Sequence, residues 1–368
     1  MEREELISWL RLTRTPGIGP VTFHRLLEKF SSPSAVLAAR PEQLFKIADA
    51  RPALINSLAT PPSVAVISQE ILALEALGGH IITSQDQHYP PLLRNIHDPP
   101  PVLYLLGNPR ALIAPHIIAI VGTRNATRTG IKNSHQLGRD LARIGITTAS
   151  GFAIGIDGAA HRGTVEEGGV TIAVTATGLN VDYPKRHNLL RQQILEKGCI
   201  VTEAPLSTFP SPRIFPSRNR IISGISQGVV VVEAAPRSGS LITARTALEQ
   251  GRELFALPGP IDEERSKGTN QLLRDGACLV TSVEDIKNEL TWSLPSIAQT
   301  PLEDSSVDSS KWPPNSKQLL EKLEAGPLLV DELARLTHLT VGELSSILLQ
   351  LEMSGIVEKS SDDRYIKC

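Results

Sequence analysis

Short apolar runs rich in β-branched residues recur through the middle of the chain, and helical stretches separate many of them. Several runs are continuously apolar, as expected for strands buried on both faces of a parallel sheet. The predicted strands are Ile117–Val121, Ile146–Ala149, Thr171–Thr175, Cys199–Thr202, Val229–Val232, Leu254–Leu257 and Leu279–Thr281. The predicted helices between them include Gly130–Ile144, Asp157–Glu167 and Leu241–Gln250. This rhythm predicts an α/β fold with a doubly wound sheet, in which ligands bind beyond the carboxyl ends of the strands.

The remaining sequence divides into three further parts. Residues 1–80 are mostly helical by pattern and precede the α/β domain, which we place at residues 81–290. Residues 291–314 are rich in Ser and Pro and lack an apolar period, which predicts a linker. Residues 315–368 have the pattern of a helix-turn-helix followed by a hairpin, which predicts a winged-helix domain.

Charge and cysteine content exclude several classes of protein. The chain has 37 Lys and Arg against 39 Asp and Glu, a net charge of −2, which excludes a uniformly basic coat but allows a local basic site. Three widely spaced cysteines, Cys199, Cys278 and Cys368, argue against a disulfide framework or a cysteine zinc site. We predict neither a signal peptide nor a membrane span, and we expect a cytoplasmic protein.

Three loops that follow predicted strands are suited to phosphate binding. They read VGTRNATRTG from Val121, SGFAIGIDGAAH from Ser150 and EAAPRSGSLIT from Glu233. Their glycines allow close approach to the backbone, the helix starts offer free N–H groups, and Arg124 adds a cation. Neither the dinucleotide fingerprint nor the Walker pattern is present. Because the loops follow strands of one sheet, we expect them to converge on one crevice.

The segment Phe209–Gly224 has the composition of a single-strand nucleic-acid site. It carries two phenylalanines and three arginines, namely Phe209, Phe215, Arg213, Arg218 and Arg220. No acidic residue occurs from Ala204 to Val232. Arginine forks bind phosphates, and an aromatic face stacks a base. The alternative is structural: Phe215 fills a core gap while the arginines pair with Glu203 and Glu233.

Asp157 and His161, four residues apart, lie on one face of a predicted helix. No third residue at a suitable spacing completes a metal site, and no nucleophile is clearly paired with them. We therefore favour a helix-capping Asp with a hydrogen-bonded His, and we predict no catalytic residue, metal or cofactor.

These motifs, in this order, resemble the DNA-processing protein A (DprA/Smf) family over roughly residues 85–290. The most specific stretches are FPSPRIFPSRNRIISGIS, followed by SGSLITARTALEQGR. The resemblance implies an extended Rossmann-like domain that forms homodimers and has no catalytic turnover. It also implies binding of single-stranded DNA, displacement of single-strand-binding protein and loading of RecA recombinase onto incoming DNA during natural transformation.

The resemblance also implies which residues contact single-stranded DNA. They are Gly122, Thr123, Arg124, Ser150, Gly151, Gly155, Lys185, Arg186, Phe215, Arg218, Asn219, Arg220, Ser238, Gly239, Ser240 and Thr243. One departure is Thr129-Gly130, where the family usually has Tyr-Gly, so an aromatic contribution is missing from the first loop.

The alternative function is a nucleotide phosphoribohydrolase-like enzyme on a similar scaffold. Those enzymes use a PGGxGTxxE loop, whereas this chain reads PRSGSLITARTALE, which lacks the double glycine and displaces Glu249. In the flanks, Thr15–Phe30 resembles a helix-hairpin-helix, with a DNA-binding and a structural role both open. Residues 340–355 contain no Lys or Arg, so we predict that the winged helix contacts protein rather than duplex DNA.

Overall fold

The structure, a computed structural model, describes residues 2–45, 52–290, 315–323, 328–337, 339–353, 357–359 and 364–367. The chain divides into two compact units, Met1–Leu294 and Pro295–Cys368. The predicted linker at residues 291–314 lies outside the described residues. None of the helices in the described ranges is long and apolar enough to cross a membrane.

The first unit combines a group of N-terminal helices with a large sheet and its flanking helices. Its helices are α1 (Arg3–Thr13), α2 (Pro20–Phe30), α3 (Pro33–Leu37), α4 (Pro41–Phe45), α5 (Pro52–Ala59), α6 (Val64–Ala76), α7 (Pro91–Arg94), α8 (Arg128–Arg143), α9 (Ile156–Glu166), α10 (Asn188–Lys197), α11 (Phe215–Gly224), α12 (Gly239–Glu249), α13 (Lys267–Arg274) and α14 (Val283–Glu289). Its strands are β1 (Gly79–Thr83), β2 (Val102–Gly107), β3 (Ile117–Val121), β4 (Thr147–Ser150), β5 (Thr171–Val174), β6 (Cys199–Thr202), β7 (Gly228–Val231), β8 (Glu253–Ala256) and β9 (Cys278–Leu279).

The strands form a nine-stranded sheet in the order β1-β2-β6-β5-β4-β3-β7-β8-β9. The seven strands from β6 to β9 in this order are parallel, and β2 and β1 extend the sheet in antiparallel fashion. The predicted doubly wound α/β fold is confirmed, with strand limits within one or two residues of those predicted. The sequence patterns did not identify β1 and β2.

Both faces of the sheet are covered, which explains the continuously apolar strands. In β3, Ile117, Ala119 and Val121 belong to the core on one face, and Ile118 and Ile120 belong to the core on the other. All five side chains are buried. Helices α11 and α12 pack on the first face, and α8 and α9 pack on the second, because each presents an apolar stripe to the sheet.

The N-terminal helices share a hydrophobic core with the β1–β2 end of the sheet. Trp9 and Phe23, whose ring centroids lie 5.1 Å apart, belong to the same buried cluster as Tyr104 of β2 and Ile200 of β6. Leu206, which follows β6, packs against this cluster. The helices at the start of the chain are therefore part of what supports the sheet and the loop after β6.

The second unit contains helices α15 (Ser316–Leu323), α16 (Val330–Thr337) and α17 (Val341–Met353). Strands β10 (Leu328–Leu329), β11 (Val357–Lys359) and β12 (Arg364–Lys367) form an antiparallel sheet in the order β10-β12-β11. Buried leucines from all three helices, among them Leu319, Leu333 and Leu348, form its core. This arrangement confirms the predicted helix-turn-helix with a wing.

Candidate functional site

The strand order places a ligand crevice between β3 and β7. From β3 the chain winds outward through β4, β5 and β6 in one direction, and it returns beside β3 to wind through β7, β8 and β9 in the other. Such a reversal leaves an opening beyond the carboxyl ends of the two central strands. The loops after β3, β4 and β7 meet at this opening, as the sequence predicted.

A cavity of about 200 Å³ occupies the opening, and we call it the crevice. It is lined by Val121, Gly122, Arg124, Ala153, Asp157, Phe215, Arg218, Asn219, Ile222, Ser238, Gly239, Ser240 and Thr243. Nine of the predicted contact residues are in this set. The convergence of the three loops with α11 is thus a property of the fold.

Two glycines allow the first and second loops to lie against each other. A side chain at Gly122 would collide with Ile156, the first residue of α9. Gly155 has a φ of 87° and approaches the carbonyl groups of Thr123 and Arg124, where a side chain would be both strained and obstructed. The Thr123 N–H donates to the Glu233 carbonyl oxygen at 2.8 Å, which joins the first loop to the third.

Glu233 holds the N-terminal end of α8. Its carboxylate accepts hydrogen bonds from the Thr127 hydroxyl and from the Thr127 N–H, the latter at 3.0 Å. Gly130 leaves space for this carboxylate, because a Cβ atom there would overlap it. The alternative prediction that the arginines pair with Glu233 is therefore wrong, and the carboxylate is committed to a helix start.

Arg218 is buried beneath the crevice, where its side chain links the ends of two neighbouring strands. Its side chain, in a residue that is only 7% exposed, donates to the backbone carbonyls of Gly151 and Val174. Burial lowers the pKa of Arg218 to about 10, and the nearby Asp157 carboxylate opposes this shift. Arg218 therefore contributes positive charge to the crevice wall while holding the ends of β4 and β5 together.

The guanidinium of Arg220 forms ion pairs with two carboxylates. Its guanidinium lies 2.7 Å from an oxygen of Glu203 and 2.9 Å from an oxygen of Asp98. Burial raises the pKa of the Glu203 carboxyl, and the Arg220 charge opposes this shift. The alternative prediction of a pair with Glu203 is confirmed for Arg220, which lines neither the crevice nor the cavity described next.

Arg124, which is exposed, and Phe215, which is half-buried, form a cation–aromatic pair at the mouth of the crevice. The Arg124 Cζ atom lies 4.4 Å from the centroid of the Phe215 ring. The ring of Tyr183 lies beside Phe215, with 6.1 Å between centroids. Arg124 is exposed, and no carboxylate within the described ranges lies within ion-pairing distance of it. Its guanidinium can therefore meet a phosphate while it lies over the ring.

A second cavity of about 750 Å³ adjoins this pair, and we call it the aromatic cavity. Its lining includes Arg124, Gly151, Tyr183, Lys185, Arg186, Phe209 and Phe215. Phe209 is 72% exposed, and Lys185 and Arg186 are also exposed. An exposed aromatic lining with a basic rim suits a ligand that carries both a flat ring and a negative charge.

The second loop is held by a buried aromatic residue rather than by its glycines alone. Phe152 has a φ of 58° and is buried between the rings of His161 and His187, at centroid distances of 5.9 and 5.1 Å. His187 also lies 3.2 Å from the Phe152 carbonyl oxygen through Nδ1. Since His187 directly follows Lys185 and Arg186, these contacts fix the basic rim against the loop.

Ser150, also predicted as a contact, is fully buried, and its hydroxyl donates to the carbonyl oxygen of Ile120. Ser150, Thr123, Gly155 and Arg220 line neither cavity. The structure thus brings twelve of the predicted residues to the two cavities and leaves these four outside the cavity linings.

The third loop ends in the open N-terminal turn of α12. Ser238 is the N-cap residue, and its hydroxyl lies 2.7 Å from that of Ser240. A Cβ atom at Gly239 would meet nothing within 4 Å, so the backbone is accessible there. This turn presents N–H groups and hydroxyls to the crevice, the arrangement that favours an anion.

The prediction that Asp157 caps a helix is wrong, because the N-cap of α9 is Gly155. Asp157 instead accepts a 3.4 Å hydrogen bond from the Ala153 N–H, and burial raises the pKa of its carboxyl. The predicted hydrogen bond of His161 is confirmed, with Nδ1 2.7 Å from the Thr171 hydroxyl. Burial lowers the pKa of His161 to about 3, which keeps the imidazole neutral.

Tyr183 and Phe209 complete the site and were absent from the predicted contacts. Phe209 had a visible signal, because it belongs to the acid-free aromatic and arginine segment. Tyr183 lies within Asp182-Tyr183-Pro184-Lys185-Arg186, where the basic pair attracted attention and the aromatic residue beside it did not. Only the fold shows that this loop approaches Phe215.

Together these features define a class: a Rossmann-like α/β protein whose central crevice combines backbone N–H groups, arginine charge and exposed aromatic faces. Family comparison gives the particular family. The family model described as DNA recombination-mediator protein A matches residues 80–291. The family models of the DprA-like N-terminal HHH domain and of the DprA winged helix domain match residues 3–73 and 303–363. The chain belongs to the DNA recombination-mediator protein A family.

Individual relatives agree with this assignment. Protein Smf of Escherichia coli (strain K12) is 41% identical over 297 residues, which cover 78% of each chain. Protein Smf of Synechocystis is 32% identical and covers 99% of each chain. DNA processing protein DprA of Streptococcus pneumoniae is 42% identical over 204 residues, covering 55% of this chain and 72% of that one.

Two solved structures share the fold. The X-ray structure of DNA processing protein A from Streptococcus pneumoniae superimposes with a TM-score of 0.68 at 33% identity, covering 77% of this chain and 97% of that one. The protein from Helicobacter pylori, presented for its single-stranded DNA-binding mode, superimposes with a TM-score of 0.52 at 30% identity, covering 58% of this chain and 100% of that one.

Proposed function

We propose that this protein binds single-stranded DNA across the crevice and the aromatic cavity. The observation that carries the proposal is the exposed Arg124 guanidinium over the Phe215 ring, where the two cavities meet. A phosphate can bind the cation and a neighbouring base can stack on an aromatic face, which is the combination that single-strand sites use. The single-stranded DNA-binding mode described for the Helicobacter pylori relative supports the same interpretation.

The position of each residue in the crevice or the aromatic cavity indicates the role we propose for it. Phosphates bind Arg124 and the N–H groups in the first turn of α12, with Gly122, Ser238, Gly239, Ser240, Thr243 and Asn219 around them. Bases stack on Phe215, Tyr183 and Phe209, and Lys185 and Arg186 attract the backbone at the rim. The buried residues Ser150, Arg218 and Arg220, together with Gly155 at the contact between the first two loops, act by holding these groups in place. Duplex DNA is excluded from this mode because its bases are not free to stack.

Fluorescence anisotropy with labelled oligo-dT of about 20 nucleotides, over a series of salt concentrations, tests the proposal. We expect log K to fall linearly with log salt, by about 0.7 per neutralised phosphate. A duplex of equal length should bind much more weakly. Affinity that does not change with salt, or equal affinity for the duplex, would contradict the proposal.

We further propose that the protein acts as a binding protein rather than as a phosphoribohydrolase. Glu249, the acid nearest to the position such an enzyme uses, is exposed at the C-terminal end of α12, whereas the crevice lies at the other end of that helix. Incubation with AMP should therefore release no adenine. Release of base at a rate that depends on enzyme concentration would favour the hydrolase.

The family description as a recombination mediator supports a finer proposal: the protein, acting in the cytoplasm as a homodimer, displaces single-strand-binding protein and loads RecA recombinase during natural transformation. Adding the protein to DNA coated with single-strand-binding protein should shorten the lag before RecA forms filaments. Light scattering should give twice the mass of one chain. An unchanged lag contradicts the loading step, and a monomer at all concentrations contradicts the dimer.

The winged-helix unit fits a protein contact better than a groove contact. Helix α17 contains no Lys or Arg, and its Glu343 accepts hydrogen bonds from the Thr340 N–H and hydroxyl at 2.9 and 2.6 Å. Without a cation near the phosphates, the helix lacks the main source of affinity for duplex DNA. Deleting residues 315–368 should leave oligo-dT affinity unchanged.

A further inference from the structure

The segment that carries Phe209 is supported by only a few polar contacts. It leaves β6 after Thr202 and passes over the rim of the aromatic cavity before α11 begins. On one side the Gly178 N–H donates to the Thr208 carbonyl oxygen at 3.0 Å, and Asn180 accepts from the Ser207 N–H at 2.6 Å and donates to the Ser207 hydroxyl at 3.0 Å. A further contact comes from the opposite side, from the N-terminal helices.

That contact is made by Glu70 of α6. One carboxylate oxygen of Glu70 accepts the Leu206 N–H at 3.3 Å and an N–H of Arg14 at 2.6 Å. Arg14 also donates to the hydroxyl of Tyr104, which is buried in β2. The Leu206 side chain packs against the core that these helices share with the sheet. A continuous path therefore runs from α1 and α6 to a residue three positions before Phe209.

The position of Glu70 is unusual among the charges that join α1 and α6. Arg3 and Glu75 link the same region at 3.4 Å, but their side chains are 52% and 50% exposed. The side chains of Arg14 and Glu70 are 21% and 15% exposed. An ion pair at the surface contributes little to stability, whereas a half-buried carboxylate that accepts from a backbone N–H holds that backbone in one position.

We infer that Glu70 is a positioning residue, through which the N-terminal helices hold the Leu206–Phe209 segment over the aromatic cavity. The inference rests on the proposed function for its effect on DNA, but the contact itself can be measured without DNA. If Glu70 fixes the segment, its loss frees the Leu206 N–H and lets Phe209 move away from the position in which a base stacks. Glu70 itself does not touch DNA.

Hydrogen exchange of the full-length protein, measured by mass spectrometry on a peptide covering residues 203–210, tests the contact. In Glu70→Ala, exchange in this peptide should be about two- to tenfold faster, the range expected for the loss of one hydrogen bond. Glu70→Gln keeps an acceptor oxygen and should retain most of the protection. Glu75→Ala removes the same charge from the same helix and should leave the peptide unchanged.

A titration with oligo-dT that contains 2-aminopurine then tests the effect on stacking, since this base loses fluorescence when it stacks. In Glu70→Ala, quenching should be smaller and the affinity about two- to tenfold lower, with the salt dependence unchanged because no DNA-binding cation is lost. Glu75→Ala should match the wild type.

The outcomes separate the inference from the proposed function. Exchange that is unaltered in Glu70→Ala, or equally faster in Glu75→Ala, overturns the inference. Faster exchange with unchanged DNA affinity also overturns it, because the segment would then not need to be held. Failure of the wild-type protein to bind oligo-dT contradicts the proposed function, and the exchange comparison still decides whether Glu70 holds the segment.

Discussion

Replacing Arg124 by Ala should weaken DNA binding in a way that depends on salt. The guanidinium is exposed and lies 4.4 Å from the centre of the Phe215 ring, so its loss removes one phosphate partner and one cation–π contact. One phosphate contact with a single strand changes the slope of log K against log salt by about 0.7. This corresponds to a loss of about fourfold in affinity at ~0.15 M salt and about eightfold at ~0.05 M salt.

The matched control is Arg110→Ala. Arg110 is exposed and follows β2, at the edge where Gly107 pairs with Cys199, the first residue of β6. This edge is opposite the carboxyl ends of the parallel strands, so the same change in net charge occurs away from the crevice. Anisotropy titrations at several salt concentrations should give a shallower slope for Arg124→Ala only. An unchanged slope for Arg124→Ala, or equal changes in both variants, would refute the assignment of a phosphate to Arg124.

Three other substitutions test separate parts of the account. Phe215→Ala should reduce oligo-dT affinity by ~1–3 kcal/mol while the salt slope stays near that of the wild type, and a parallel change in slope would show that the ring does not act by stacking. Arg220→Ala should lower the free energy of unfolding in urea by ~1–3 kcal/mol. The loss is smaller than for a fully buried pair because the side chains of Glu203 and Asp98 are 27% and 39% exposed. An unchanged free energy of unfolding would contradict a structural role for Arg220. His161 has a lowered pKa in the folded protein, so the free energy of unfolding should fall as the pH drops below the unfolded pKa of 6.5, by ~1.4 kcal/mol per pH unit down to the folded pKa of about 3. His161→Gln should lose this pH dependence when urea unfolding is compared at pH ~6.5 and ~5. An identical pH dependence in both proteins would rule out the contribution of His161.

The sequence predicted the parts of the fold that depend on local pattern. Most of the seven parallel strands were recognisable because they are apolar on both faces, as β3 shows with Ile118 and Ala119 buried on opposite sides. Strands β1 and β2 were missed because they lie at the antiparallel end. There, His80 of β1 is exposed and the apolar residues of β2 read equally as a helix or a strand.

The sequence predicted the location of the site more accurately than the roles of its individual residues. Motifs at strand ends identified the crevice, since a parallel sheet brings those ends together. Arg218 and Arg220 lie on the same helix as Phe215, yet both are buried, and their partners Val174 and Asp98 are distant in sequence. A list of basic residues cannot distinguish an arginine that binds a ligand from one that braces the loop behind it. Glu70 was invisible for the same reason, because its contact with Leu206 joins residues 136 positions apart.

Photocrosslinking tests most directly the claim that the crevice and aromatic cavity hold single-stranded DNA. An oligo-dT carrying 5-iododeoxyuridine, irradiated with the full-length protein and mapped by mass spectrometry, should crosslink at Tyr183, Phe209 or Phe215, which line the cavity and are more exposed than Phe152. Excess unlabelled oligo-dT should suppress these crosslinks. Crosslinks confined to the helical hairpin at Thr15–Phe30 or to the winged-helix unit, with none at the three aromatic residues, would contradict the account.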